Sequence, residues 1–106
     1  MITKRTLFIL TFLVFSFGAF AQIQFEKHQI GTSTTPFDVF IVDLDQDGRQ
    51  DILTASNSNG GEIRWWRNNA NQNFTQQAIA TQITNPRSVR AGDIDLDGDI
   101  DIIAAI

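Results

Sequence analysis

The chain has no cysteine, no tyrosine, one histidine, one methionine and two prolines in 106 residues. Without cysteine there is no disulfide staple and no thiolate site for zinc or an iron–sulfur cluster. One histidine, with no tyrosine or cysteine, leaves few groups for acid–base or nucleophilic catalysis. Basic residues are also scarce. Eight Lys and Arg face twelve Asp and Glu, a formal net charge of -4. A nucleic-acid partner is not expected, because phosphate neutralisation needs a basic surface. Beyond residue 21 no 3.6-residue periodicity is sustained, so no amphipathic helix is expected there.

Acid is absent from residues 1–21, which hold five of the nine phenylalanines. Lys4 and Arg5 form a positive start. An apolar run over 7–20 follows, broken only by Thr11, Ser16 and Gly18, and Ala19-Phe20-Ala21 places small residues where a signal peptidase reads. The run falls short of the roughly 20 residues that span a bilayer. Residues 1–21 therefore read as a secretory signal peptide cleaved after Ala21. The mature chain would have 85 residues, six bases against twelve acids, and a net charge of -6. It is expected to be secreted or held at the cell surface, with no membrane span.

The mature sequence repeats itself. Asp43-Leu44-Asp45-Gln46-Asp47-Gly48-Arg49-Gln50-Asp51-Ile52 aligns with Asp93-Ile94-Asp95-Leu96-Asp97-Gly98-Asp99-Ile100-Asp101-Ile102 at a constant offset of 50. The match extends to Pro36 and Pro86, Val39 and Val89, and Ala55 and Ala105. Short β-branched and aromatic runs at 37–42, 52–55, 63–67 and 74–79 read as strands. Gly48 and the clusters at 57–61 and 68–73 separate them as turns. Four strands in a period of 40–50 residues is the arithmetic of a β-propeller blade. A β-sandwich gives no reason for a ten-residue loop to recur at a fixed offset. The fold expected is all-β: a fragment of a propeller built of four-stranded antiparallel blades, about one and a half of them, after the signal peptide. The boundaries are 22–35 for the outer strand of a preceding or closing blade (with a strand at 25–30), 36–85 for a complete repeat, and 86–106 for a partial second repeat. Because the second repeat stops short of four strands, the chain reads as a piece of a longer propeller.

The repeated loop has the form D-x-D-x-D-G-x-x-D. Calcium is a hard cation that takes six to eight oxygen ligands. Carboxylates at positions 1, 3 and 5 turn inward as the chain curls, glycine at position 6 permits the sharp turn, position 7 offers its carbonyl, and Asp at position 9 closes the shell. The ligands expected are Asp43, Asp45, Asp47 and Asp51 with the Arg49 carbonyl, and Asp93, Asp95, Asp97 and Asp101 with the Asp99 carbonyl. An EF-hand would need an acid at position 12 and flanking helices, but Thr54 and Ala104 stand there, inside strand patterns. A metal-free acidic turn would crowd four carboxylates into nine residues. Magnesium prefers a rigid octahedron with retained waters. A carboxylate pair for glycoside cleavage has no other sequence feature to support it.

These loops resemble the FG-GAP/VCBS repeat family of integrin α-subunit propellers and secreted bacterial proteins. Ser88-Val89-Arg90-Ala91-Gly92-Asp93 leads into the second loop and Asp101-Ile102-Ile103-Ala104 leaves it. Ile63-Arg64-Trp65-Trp66-Arg67-Asn68, then Asn73-Phe74, resembles the outer hairpin of bacterial members. The likeness spans about 25–106 and implies a calcium-stabilised propeller; it implies no single activity.

Trp65 and Trp66, adjacent on an expected strand, face opposite sides. One is expected to pack between blades, while the other is a candidate for stacking on a sugar or a partner. Arg64, Arg67 and His28 read as solvated surface residues, and Asn73-Phe74-Thr75 matches a glycosylation sequon. The function expected is non-catalytic: a secreted calcium-binding propeller module for extracellular binding or adhesion to a protein or polysaccharide. The alternative is an accessory propeller of a secreted carbohydrate-active enzyme whose catalytic part lies outside this chain.

Overall fold

The computed structural model describes residues 21–106. The expected signal peptide, all but its last residue, lies outside the described residues. The described residues form six strands, β1 (Pro36–Val42), β2 (Asp51–Ser56), β3 (Glu62–Asn68), β4 (Phe74–Thr81), β5 (Ser88–Gly92) and β6 (Asp101–Ala105), with one short 3-10 turn at Ser58–Gly60. β1 to β4 make one antiparallel sheet in sequence order, and β5 and β6 make a second. The strands at 37–42, 52–55, 63–67 and 74–79 are thus present, each a residue or two longer than expected. Pro36 starts an edge strand, the place where a residue without an N–H costs no ladder bond.

The repeat is structural as well as sequential. Val39 pairs with Thr54 and Val42 with Asp51. In the second sheet Val89 pairs with Ala104 and Gly92 with Asp101. Each pair is displaced by 50 residues from its counterpart, so both loops leave and re-enter their sheets in one register. The first sheet is a four-stranded antiparallel unit, and β5–β6 repeats its first hairpin.

Alternation along the strands divides the first sheet into two faces. Phe40, Leu53 and Trp65 lie in line across β1, β2 and β3, as do Ala55 and Ile63. This face packs against the second hairpin. Leu53, Ala55, Ile63 and Val89 form the buried core, with Phe40, Val42, Trp65, Ala91 and Ile102 packed around it. Leu53 and Val89 are 0% exposed, so each contributes about 1.5–3 kcal/mol by leaving water. The core therefore sits between the two repeats, where a propeller joins its blades.

Trp66 points to the opposite face and is only 4% exposed. Its indole Nε1 donates to Thr54 Oγ1 at 3.0 Å, and its ring lies against the Gly31 backbone, where a Cβ would come within 2.1 Å of the ring. Of the two tryptophans, Trp65 takes the place between the blades. Trp66 is covered by the incoming chain and is closed to an external sugar.

One boundary differs. Residues 22–35 contain no strand, and the strand expected at 25–30 is not formed. Its apolar residues Ile23 and Phe25 are exposed. A strand exists only through a ladder with a neighbour, and neither sheet pairs with this segment. The end of the segment is tied down instead by turns: the Asn57 N–H donates to the Thr35 carbonyl at 3.1 Å, and Thr34 Oγ1 donates to Ser58 Oγ at 3.0 Å.

The repeats are joined by charge as well as by packing. Asp38 Oδ2 on β1 accepts the Val89 N–H of β5 at 2.9 Å and Arg90 Nη1 at 2.6 Å. The Val89 amide holds the Asp38 carboxyl below the ordinary carboxylate range; partial desolvation opposes this and the Arg90 guanidinium assists it. A carboxyl whose pKa is lowered by folding stabilises the fold above its unfolded value, near pH 4, and loses that contribution as pH falls through the lowered value. Asp38→Asn is therefore expected to reduce stability at neutral pH. The gap to the unsubstituted protein should close as denaturation is followed from pH 5 to pH values well below 4. A gap that stays constant across this range would contradict the assignment.

Candidate metal centre

Each aspartate loop joins the first two strands of its repeat. Asp43 Oδ1 accepts the Asp47 N–H at 3.0 Å and its Oδ2 accepts the Gly48 N–H at 2.8 Å, while Asp47 Oδ1 accepts the Arg49 N–H at 2.9 Å. In the second loop Asp93 accepts the Asp97 and Gly98 amides at 3.1 and 2.9 Å, and Asp97 accepts the Asp99 amide at 2.8 Å. Asp side chains make such turns by bonding backbone a few residues ahead. The turn also needs left-handed backbone. Gly48 and Gly98 have φ of 88° and 96°, and Gln46 and Leu96 have φ of 57° and 63°. Glycine takes that conformation without penalty, whereas Leu96 takes it at a cost of about 1–2 kcal/mol.

The carboxylates converge. Asp43, Asp45 and Asp47 each place an oxygen within 4.8 Å of the others, and so do Asp93, Asp95 and Asp101. The two position-9 aspartates differ. Asp101 Oδ2 accepts the Ile94 N–H at 2.9 Å and Asp101 belongs to its triad. Asp51 is 0% exposed and lies outside the first triad. Its Oδ2 accepts the Leu44 N–H at 3.2 Å and its Oδ1 the Asn68 N–H at 2.8 Å, which leaves one lone pair on each oxygen. Asp97, at position 5 of the second loop, is engaged with its own turn. The Arg49 and Asp99 amides brace the Asp47 and Asp97 carboxylates.

Both triads offer only oxygen, a donor set suited to a hard dication and poor for a soft transition metal. Three carboxylates gathered within 4.8 Å repel one another, in the second loop with no basic side chain in ion-pair distance among the described residues. The residues present therefore fit calcium, with Asp43, Asp45 and Asp47 as the meeting point in one loop and Asp93, Asp95 and Asp101 in the other.

The first loop has basic neighbours that its own nine residues do not reveal. Arg67 Nε donates to Asp45 Oδ2 at 2.6 Å and its Nη2 lies 3.7 Å from Asp47 Oδ2. Arg49 also pairs with Asp47, and its Nε donates to the Asn68 carbonyl at 2.8 Å. Partial desolvation acts to raise the Asp45 pKa, but the Arg67 hydrogen bond and charge outweigh it and hold Asp45 below the ordinary range. Arg67 is held protonated more firmly in return, chiefly by its hydrogen bond to Asp45. Arg67, expected from its sequence position to be a solvated charge, is instead paired with the loop acids. The strand register carried the missing signal: with Ile52 opposite Trp66, residue 67 falls beside Asp51, the last position of the loop.

A profile of FG-GAP-like repeats matches residues 43–104. The chain belongs to the FG-GAP-like repeat family. The match begins at the first acid of one loop and ends within the exit strand of the other, so both loops and both acidic triads fall inside it. The family and the all-β architecture agree on a β-propeller-like module. No curated protein and no solved structure matches this FG-GAP-like chain. Among the described residues, no helix is long and apolar enough to cross a membrane.

Proposed function

We propose that this FG-GAP-like chain is a secreted or cell-surface propeller module whose two aspartate loops bind calcium, and that it serves extracellular binding or adhesion to a protein or polysaccharide and not catalysis. The observation that carries the reading is the pair of triads: the same turn, braced by the same Asp-to-amide bonds, gathers three carboxylates in each repeat, two of them (Asp43 and Asp45, Asp93 and Asp95) at equivalent positions. A bound dication would offset two of the three charges of each triad and brace the connection between the first two strands of a blade. The protein's own share is to hold that connection open in the right shape through Asp43, Asp93 and the two glycines. A signal peptide at 1–21 accords with such a role, since calcium is plentiful outside the cell. Among the described residues the histidine, His28, pairs with Glu26 at 3.6 Å.

The test is thermal unfolding of the chain with and without calcium. Extracellular calcium modules bind at about 0.1–1 mM. Two sites with a Kd near 0.1 mM would contribute about 3 kcal/mol at 1 mM calcium, a rise in Tm of roughly 10 °C or more for a domain of this size. Magnesium at the same concentration should give a much smaller rise. A Tm that does not move with calcium overturns the metal part of the proposal.

A further inference from the structure

The two loops share a turn but not an electrostatic setting. Arg67 and Arg49 both sit on the acids of the first loop, Arg67 on Asp45 and Asp47 and Arg49 on Asp47. In the second loop the residue equivalent to Arg49 is Asp99. Among the described residues no Lys, Arg or His lies within ion-pair distance of Asp93, Asp95, Asp97, Asp99 or Asp101.

We propose that Arg67 is an internal competitor for the first loop, so that the two loops take calcium in sequence, the second before the first. The inference rests on the calcium reading above and concerns the regulation of those same sites. A guanidinium carries five N–H donors and no lone pair, so Arg67 brings no ligand to the site; it occupies one lone pair of Asp45 Oδ2 and sets a positive charge beside the triad, which opposes an incoming dication. Calcium binding at the first loop must therefore work against the Arg67 charge, whether the guanidinium stays or swings away. The long-range field has the same sign. The nine residues of the first loop sum to -3, and Arg67 brings the cluster to -2, whereas the second loop sums to -5. A dication is drawn more strongly to the second.

Arg67 is well placed for this part. It sits at the end of β3, anchored through a backbone that pairs with Thr75 of β4, and its side chain is 45% exposed. It can swing into water without opening the core. An exposed ion pair shifts an equilibrium by up to about fivefold. Removing a cation from beside an incoming dication adds to that, so neutralising Arg67 should tighten the first loop about five- to tenfold.

The measurement is a titration of the chain with calcium chloride, followed through the backbone amides of Gly48 and Gly98, the position-6 residues of the two loops, in a proton–nitrogen correlation spectrum. In the unsubstituted protein Gly98 should respond at the lower calcium concentration; this ordering tests the inference without any variant. Arg67→Gln should lower the Gly48 midpoint about five- to tenfold and leave Gly98 unchanged, whereas Arg67→Lys, which keeps the charge, should move Gly48 by less than about twofold. If Gly48 responds first, or if its midpoint is the same with Gln at 67, the role given to Arg67 is overturned while calcium binding stands. If neither amide moves up to about 10 mM calcium, well above the range for extracellular modules, the calcium reading itself fails and this inference with it.

Discussion

Replacing Asp45 and Asp95 together by alanine is expected to remove the protection that calcium gives the fold against proteolysis and heat. These two positions are the sharpest choice within the triads. Asp43 and Asp93 each brace two backbone amides, so their removal would damage the turn with or without metal. Asp45 accepts the exposed Arg67 side chain, and Asp95 accepts one weak amide bond at 3.2 Å. The metal-free stability should therefore change by no more than about 1 kcal/mol. With calcium, each triad loses one of its three converging carboxylates, and a Kd already near 0.1–1 mM should weaken beyond useful occupancy. The readout is the rate of cleavage by a nonspecific protease, with calcium and with chelator. The unsubstituted chain should be cut several-fold more slowly in calcium, and the double variant at one rate in both. Full calcium protection in the double variant would remove Asp45 and Asp95 from the ligand set.

The second large effect concerns Asp51 and needs no metal. Asp51 is wholly buried, and its two oxygens accept the Leu44 and Asn68 amides. It thus joins three pieces of chain: the aspartate loop, the start of β2 and the end of β3. Asp51→Ala leaves both half-buried amides without their partner, at about 1–3 kcal/mol each. Relief from desolvating a carboxylate offsets part of this, so a net loss of about 2–4 kcal/mol is expected in urea denaturation in chelator. Asp101 occupies the same motif position but is only half-buried, and it accepts one amide in its loop, Ile94. Asp101→Ala should cost about 1 kcal/mol. Equal losses at the two positions would refute the distinction drawn between them.

Much of this fold is legible in the sequence because the repeat reports on itself. An offset of 50 identifies equivalent turns, and the strands between them are short apolar runs bounded by Gly and Asn clusters. The acid spacing identifies the turn chemistry, because Asp side chains accept backbone amides a few residues ahead and Gly at position 6 takes the left-handed backbone that the turn requires. Two things were hidden. The segment at 25–30 has a strand's pattern, but a pattern shows capacity for pairing and not the presence of a partner. The side chains that reach the first loop from elsewhere, Arg67 above all, depend on strand register, which a local motif does not contain. The same holds for Asp51. The motif makes it a ligand like the other acids, while burial by β3 makes it first a brace for two amides.

The seam between the repeats also discriminates. Two side chains of the first repeat reach across it: Asp38 to the Val89 amide and Arg90, and Gln46, whose Nε2 donates to the Gly98 carbonyl at 2.6 Å. Their equivalents fifty residues on are Ser88 and Leu96, and neither offers a carboxylate or an amide. Two copies of one motif thus carry different keys at their edges. If the repeats were exchanged in order, the crossing bonds at Val89, Arg90 and Gly98 would be lost. The near-identity of the loops would by itself allow a misaligned pairing during folding. The mismatch at 38 and 46 works against that pairing, so the chain encodes in two residues which blade comes first.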